Sequence, residues 1–167
     1  MKQICQVFCI VLFLTVSLAW GQSSNWRSKV AEIQLLVDDY DALIRKLGPP
    51  AGNEDRDYGE YFELPDSKIY ALFEPGECVE SSAIDGEMFG WKVPEWTVIQ
   101  IRVNLKNPIK LSSLKFNLKD FKKSRIDDVP EFEYENEKTG VYFTLWRDGK
   151  VRSITYSPPS NLWDKRC

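Results

Sequence analysis

The side chains that carry most enzyme chemistry are scarce in this chain, and one is missing: there is no histidine among its 167 residues. That removes nucleophilic triads built on Ser-His or Cys-His pairs, and any imidazole-ligated zinc or iron site. It also removes the side chain whose ordinary pKa lies near neutrality. Ser112-Ser113-Leu114-Lys115 has the S-x-x-K spacing, in which a helical turn sets a lysine beside a nucleophilic serine. The companion motifs of such enzymes are absent, so the segment reads as a capped turn, with Ser112 capping and Lys115 in water. Asp38, Asp39 and Asp41 suggest a cation site, but a calcium loop also needs a glycine at its sharp turn and a closing acid. Helix capping accounts for all three. The 25 acids offer many pairs for glycoside hydrolysis, and nothing selects one pair. Lys119, Lys122, Lys123 and Arg125, flanked by Asp120, Asp127 and Asp128, read as a solvated face. No catalytic, cofactor or metal residue is assigned.

Residues 1–21 read as a cleavable leader. Lys2 gives a positive start, Val7 to Leu18 is an apolar run, and Ala19-Trp20-Gly21 places small residues where a signal peptidase reads. The run is much shorter than the roughly 20 apolar residues of a membrane span. A lipoprotein leader would put cysteine after the cut, where Gln22 stands. Secretion or a periplasmic location is therefore expected, with no stable membrane insertion after cleavage. Loss of Lys2 with the leader takes the formal charge from −3 to −4. So mildly acidic a chain argues against nucleic acid as a partner. Of the four cysteines, Cys78 and Cys167 remain, and in an oxidising compartment they are expected to pair.

Residues 22–167 fit one domain. Asp38 to Pro50 carries a complete helix signal. Asp38 is the expected N-cap, Ala42, Leu43, Ile44 and Leu47 recur at helical spacing, and Gly48-Pro49-Pro50 ends it. Val30 to Leu36 fits either a strand or an earlier helical turn. The period then becomes alternating. Strands are expected at Glu60 to Leu64, Ile69 to Glu74 and Thr97 to Leu105, the last with Ile99, Ile101, Val103 and Leu105 on one face. Short helical turns are expected within Ser112 to Lys123. Three more strands follow at Phe132 to Asn136, Val141 to Arg147 and Lys150 to Ser157, the last two joined at Asp148-Gly149. Set side by side, the halves predict an α+β fold. It is a duplicated helix plus three-stranded antiparallel meander, with the helices packed on one face of the sheet. The half-repeats are about 30–108 and 109–158, with a tail at 159–167.

The halves differ in one respect. The last strand pair of the second half is joined by two residues, whereas the matching connection in the first runs from Gly76 to Trp96. Connections that long are uncommon and often functional. This one holds Cys78, Met88, Phe89, Trp91 and Trp96, with Pro94 to stiffen it and Gly86 and Gly90 for close turns. Met88, Phe89, Trp91 and Trp96 are the candidate contact residues, either for a partner or as a cap on one end of the sheet.

The segment from Asp38 to Pro50 resembles the helix of the SmpA/OmlA family of small outer-membrane lipoproteins. That helix has a polar cap, a Val/Leu-rich turn and Leu-Gly-x-Pro, matched here by Asp38, Leu43, Leu47, Gly48 and Pro50. The duplicated plan resembles the beta-lactamase inhibitor proteins. Over most of residues 26–167 the chain is similar to uncharacterised small secreted bacterial proteins. These share Leu-Gly-Pro-Pro, a loop like Gly90 to Pro94 (GWKVP) and the Arg166-Cys167 pair. The resemblance implies a tandem α/β fold in the bacterial envelope and, by analogy, an interaction role. Together these readings favour an exported, non-enzymatic module that binds another envelope or extracellular protein through residues 77–96. The alternatives are a glycan or small-ligand module and a small carboxylate-based hydrolase.

Overall fold

The computed structural model describes residues 25–53, 58–76, 78–80, 88–125 and 131–167; the expected leader lies outside them. Helix α1 (Trp26–Ala31) starts at Asn25, whose side chain accepts the Arg27 N–H. Helix α2 (Tyr40–Leu47) starts at Asp39, whose carboxylate accepts the Ala42 N–H at 2.7 Å. The cap thus lies one residue beyond the expected Asp38. Asp38 is engaged elsewhere: it accepts the Gln34 N–H and pairs with Lys46. Asp41 in the first turn of α2 and Arg45 and Lys46 in the last complement the helix dipole.

Ten strands follow: β1 (Gly52–Asn53), β2 (Gly59–Glu63), β3 (Ser67–Phe73), β4 (Val79–Glu80), β5 (Met88–Phe89), β6 (Val98–Lys110), β7 (Lys122–Arg125), β8 (Phe132–Asn136), β9 (Val141–Leu145) and β10 (Lys150–Tyr156). Eight of them form one antiparallel sheet in the order β1-β2-β3-β6-β10-β9-β8-β7. Strands β4 and β5 pair with each other inside the long connection. From the central β6 the chain crosses to the far edge through 3-10 turns at Leu111–Leu114 and Leu118–Asp120. It then meanders back until β10 pairs with β6.

This sheet overturns the expected duplicated helix plus three-stranded meander. Among the described residues both α-helices precede the sheet, and residues 109–158 contain none. The short turns expected there form as two 3-10 turns and not as the repeat's α-helix: Lys115 takes φ 57° and ends the first, and Asn117 caps the second. A helix nucleus costs several ordered residues before propagation offsets it, and this stretch restarts before that point. The rest becomes the edge strand β7, whose Lys122, Lys123, Ser124 and Arg125 are all exposed. Charge on an edge strand discourages pairing with another chain. Ser112 does not cap: the first 3-10 turn has no side-chain cap.

The sheet buries one face. Phe62, Ile69, Phe73, Ile101, Val103 and Ile154 are almost fully buried, and Trp26, Val30, Leu43 and Leu47 of the helices belong to the same cluster. The opposite face carries a polar cross-strand row, Tyr70, Arg102, Thr155 and Tyr142. Ile99 departs from the expected alternation. Phe73 pairs with Val98 but Leu72 with Gln100, so Ile99 is the extra residue of a bulge. A bulge shifts the alternation by one, and Ile99 leaves the core face. The hairpin at Asp148-Gly149 is also wider than two residues. Gly149 N–H donates to Trp146 O and Trp146 N–H to Lys150 O, enclosing three residues, with Gly149 at φ +73°. Among the described residues no helix is long and apolar enough to cross a membrane.

Phe62→Ala is expected to cost about 3–5 kcal/mol by leaving a cavity in the core cluster beside β3. Val37→Ala, at a position 66% exposed, should stay within about 0.5 kcal/mol. Urea unfolding of both variants checks the pair; equal effects would refute this placement of the core.

Candidate functional site

At one end of the sheet β3 runs out, the long connection begins, and the segment after β10 returns. Four contacts tie these together. Cys78 and Cys167 form a disulfide with Cα atoms 5.5 Å apart, across 89 residues of sequence. Trp91 and Arg166 make an antiparallel bridge. Lys92 N–H donates to Lys165 O at 2.7 Å, and Cys167 N–H donates to Gly90 O at 3.1 Å.

Glu74 sits beneath this join. Its backbone N–H donates to Thr97 O, and its carbonyl accepts the Trp96 N–H. Its side chain is fully buried. Oε2 accepts the Trp91 N–H at 3.1 Å, while Oε1 has no hydrogen-bond partner among the described residues. Burial pushes the carboxyl above its ordinary range, and the Trp91 N–H opposes this only in part. The close approach depends on Gly90, at φ +100°, because a Cβ there would overlap Glu74 Oε1.

The anticipated contact residues separate. Met88 and Phe89 lie in β5, their backbones paired with Glu80 and Val79. Trp91 lies on the sheet face opposite the core. It shares a cavity of about 250 Å³ with Gln100, Tyr142, Ser157, Trp163 and Arg166. Gln100 Nε2 donates to Ser157 Oγ at 3.1 Å within it. Burial raises the Tyr142 hydroxyl pKa, the acids Glu135, Glu137 and Glu133 raise it further, and Arg166 lowers it. Trp96 lies on the core side, with ring centroids 5.0 Å from Tyr58, 5.8 Å from Tyr40 and 5.9 Å from Phe73. It remains 38% exposed. The connection therefore presents one tryptophan to each face rather than all four candidates in one patch.

Sequence reasoning missed Trp163, Arg166, Tyr142, Gln100 and Ser157. A usable signal existed for two of them. If Cys167 reaches Cys78, then Arg166 beside it and Trp163 four residues earlier must also reach the connection. Tyr142 and Gln100 had no such signal, since their neighbourhood depends on which strands pair. Among the described residues no three acidic or cysteine side chains gather to hold a metal ion. Ser113 Oγ donates to Lys110 O, within its own turn. Comparison of the chain with family models, with characterised proteins and with solved structures finds no match.

Two outcomes follow. Glu74 has a folded-state pKa raised above its unfolded value. The stability its protonated form carries is complete below the ordinary carboxyl range, about 4.3, and is lost as pH rises through the raised value. Glu74→Gln cannot ionise but still accepts the Trp91 N–H. Its stability relative to the unmodified protein should therefore rise from pH 4 to pH 7.5. A difference constant with pH would refute the assignment. Replacing Cys78 and Cys167 together by serine is expected to lower stability by on the order of 4 kcal/mol, as a long closed loop implies. Denaturation with and without reductant should show the same loss in the unmodified protein and none in the variant.

Proposed function

We propose that the chain is an exported, non-enzymatic module that binds another envelope or extracellular protein. Its contact surface is the end of the sheet where the Met88 to Trp96 segment is tied to the Trp163 to Cys167 segment, reached from both faces, with Trp91 and Trp163 on one and Trp96 on the other. The observation that carries the reading is the combination of exposed indoles and immobilised backbone. Trp96 is 38% and Trp163 39% exposed, and both belong to segments joined by the disulfide and the Trp91–Arg166 bridge. Tryptophan is enriched where interfaces concentrate their energy. A segment already ordered before binding avoids much of the entropy cost of docking. The disulfide also suits an oxidising compartment, which supports export.

A specific observation favours a second reading. The cavity of about 250 Å³ beside Trp91 combines two indoles with the amide of Gln100, the hydroxyls of Ser157 and Tyr142, and Arg166. Aromatic walls with a few convergent polar groups suit a glycan or another small polar ligand. The hydrolase alternative has less support. Glu74, with its raised pKa, is sealed under Gly90 rather than open to a substrate.

The test is a photo-cross-linking amino acid at position 163, compared with one at Asp148 at the other end of β10. An adduct with a second protein in envelope or culture fractions from 163 and not from 148, weakened by Trp91→Ala in a folded variant, is expected. No adduct, or equal adducts from both positions, overturns protein binding. Saturable tryptophan quenching by oligosaccharides would then favour the second reading.

A further inference from the structure

The Trp96 side of the connection has chemistry of its own. A cavity of about 500 Å³ opens there, lined by Asp39, Tyr40, Asp41, Glu60, Glu95 and Trp96. Its wall is aromatic: Tyr40 and Trp96 meet edge-on, with Tyr58 and Phe73 packed behind the indole. Its charge is of one sign. Among the described residues four carboxylates line it and no basic residue does. Among the described residues none of the four forms a salt bridge. Asp39 is partly committed to capping α2, and Glu95 accepts the Tyr58 hydroxyl at 3.2 Å. Burial is the largest cause raising the Tyr40 hydroxyl pKa, and Glu60 and Asp41 raise it further, so the ring also feels a negative field.

The occupant follows from these facts. Among the described residues the carboxylates do not gather closely enough to chelate a metal ion, so they act as a field rather than as ligands. A negative field around exposed aromatic faces selects an organic cation, held over the ring by cation–π attraction. Among protein side chains the guanidinium fits best, because it stacks flat on indole and is weakly hydrated. We infer that this cavity receives an arginine side chain of the protein partner. The partner rests on the function proposed above; the preference for a cation does not.

The test is an NMR titration of the isotope-labelled protein, following the Trp96 indole signal (assigned with Trp96→Phe). The probe is a capped Gly-Ala-Arg-Ala-Gly peptide, compared with the same peptide carrying citrulline, the neutral isostere of arginine. A saturable Trp96 shift is expected, weaker by roughly fivefold for citrulline. It should also weaken in Glu60→Gln/Glu95→Gln, with the other indole signals unmoved as the control for folding. Equal affinity for the two peptides, or no Trp96 shift, overturns the inference. If position 163 cross-links a partner and the arginine peptide does not bind, protein binding stands and the cation site falls. If the peptide binds with its charge preference and no partner is cross-linked, the cation site stands and the protein-binding reading falls.

Discussion

The pairing of β6 with β10 is the constraint on which the rest of the molecule depends. β6 is the longest strand, and it holds β3 on one side and β10 on the other. Val103 faces Ile154 across that seam, and both are fully buried. Everything before β6 reaches everything after it mainly through this ladder and the apolar side chains beneath it. Strands β7 to β9 find their places only because β10 returns to the centre. The seam tolerates irregularity: the register shifts between Val151 and Ser153 while both neighbouring apolar residues stay buried. Burial of one face therefore governs the alignment more than an unbroken ladder does.

The two ends of the sheet use different chemistry. At the hairpin end a three-residue turn suffices, and Arg152 lies over the Trp146 ring. At the other end the chain spends a long connection, a disulfide, a bridge and a buried carboxylate. Glu74 is the costly part, with one oxygen satisfied by a single backbone N–H and the other by nothing among the described residues. Burying a charge so poorly paired is unfavourable. The same carboxylate fixes where Trp91 leaves the sheet and, through its backbone, where Trp96 begins the return to β6. Both faces of the connection are positioned by this residue.

Local patterns made much of this legible. Phe132–Asn136 carries its alternation openly and forms the strand expected of it. Helix α2 was marked by its acids, its apolar spacing and its Gly-Pro stop. The pairing of Cys78 with Cys167 followed from the cysteine count and the expected export. What failed was inference by analogy between halves. Similar alternating segments made the second half look like the first, yet among the described residues no α-helix precedes its strands, because Lys115 and Asn117 interrupt the stretch that would have had to supply one. Strand β7 was hidden because its four exposed polar residues show no buried face. The divergence of Trp91 and Trp96 was invisible for a different reason. It depends on the Ile99 bulge and on Glu74, and both are products of tertiary pairing rather than local pattern.

The disulfide has a topological consequence. Together with the 89-residue span it closes, it makes a covalent ring that contains β6 through β10 and therefore the whole central seam. A single backbone cut anywhere inside that ring opens the loop without releasing a piece. The severed ends remain on one molecule, and the ladder between β6 and β10 keeps them opposed. In a protease-rich setting the protein is thus built to survive a first nick as one connected body, and only a second cut or loss of the sulfur bridge lets part of the sheet depart.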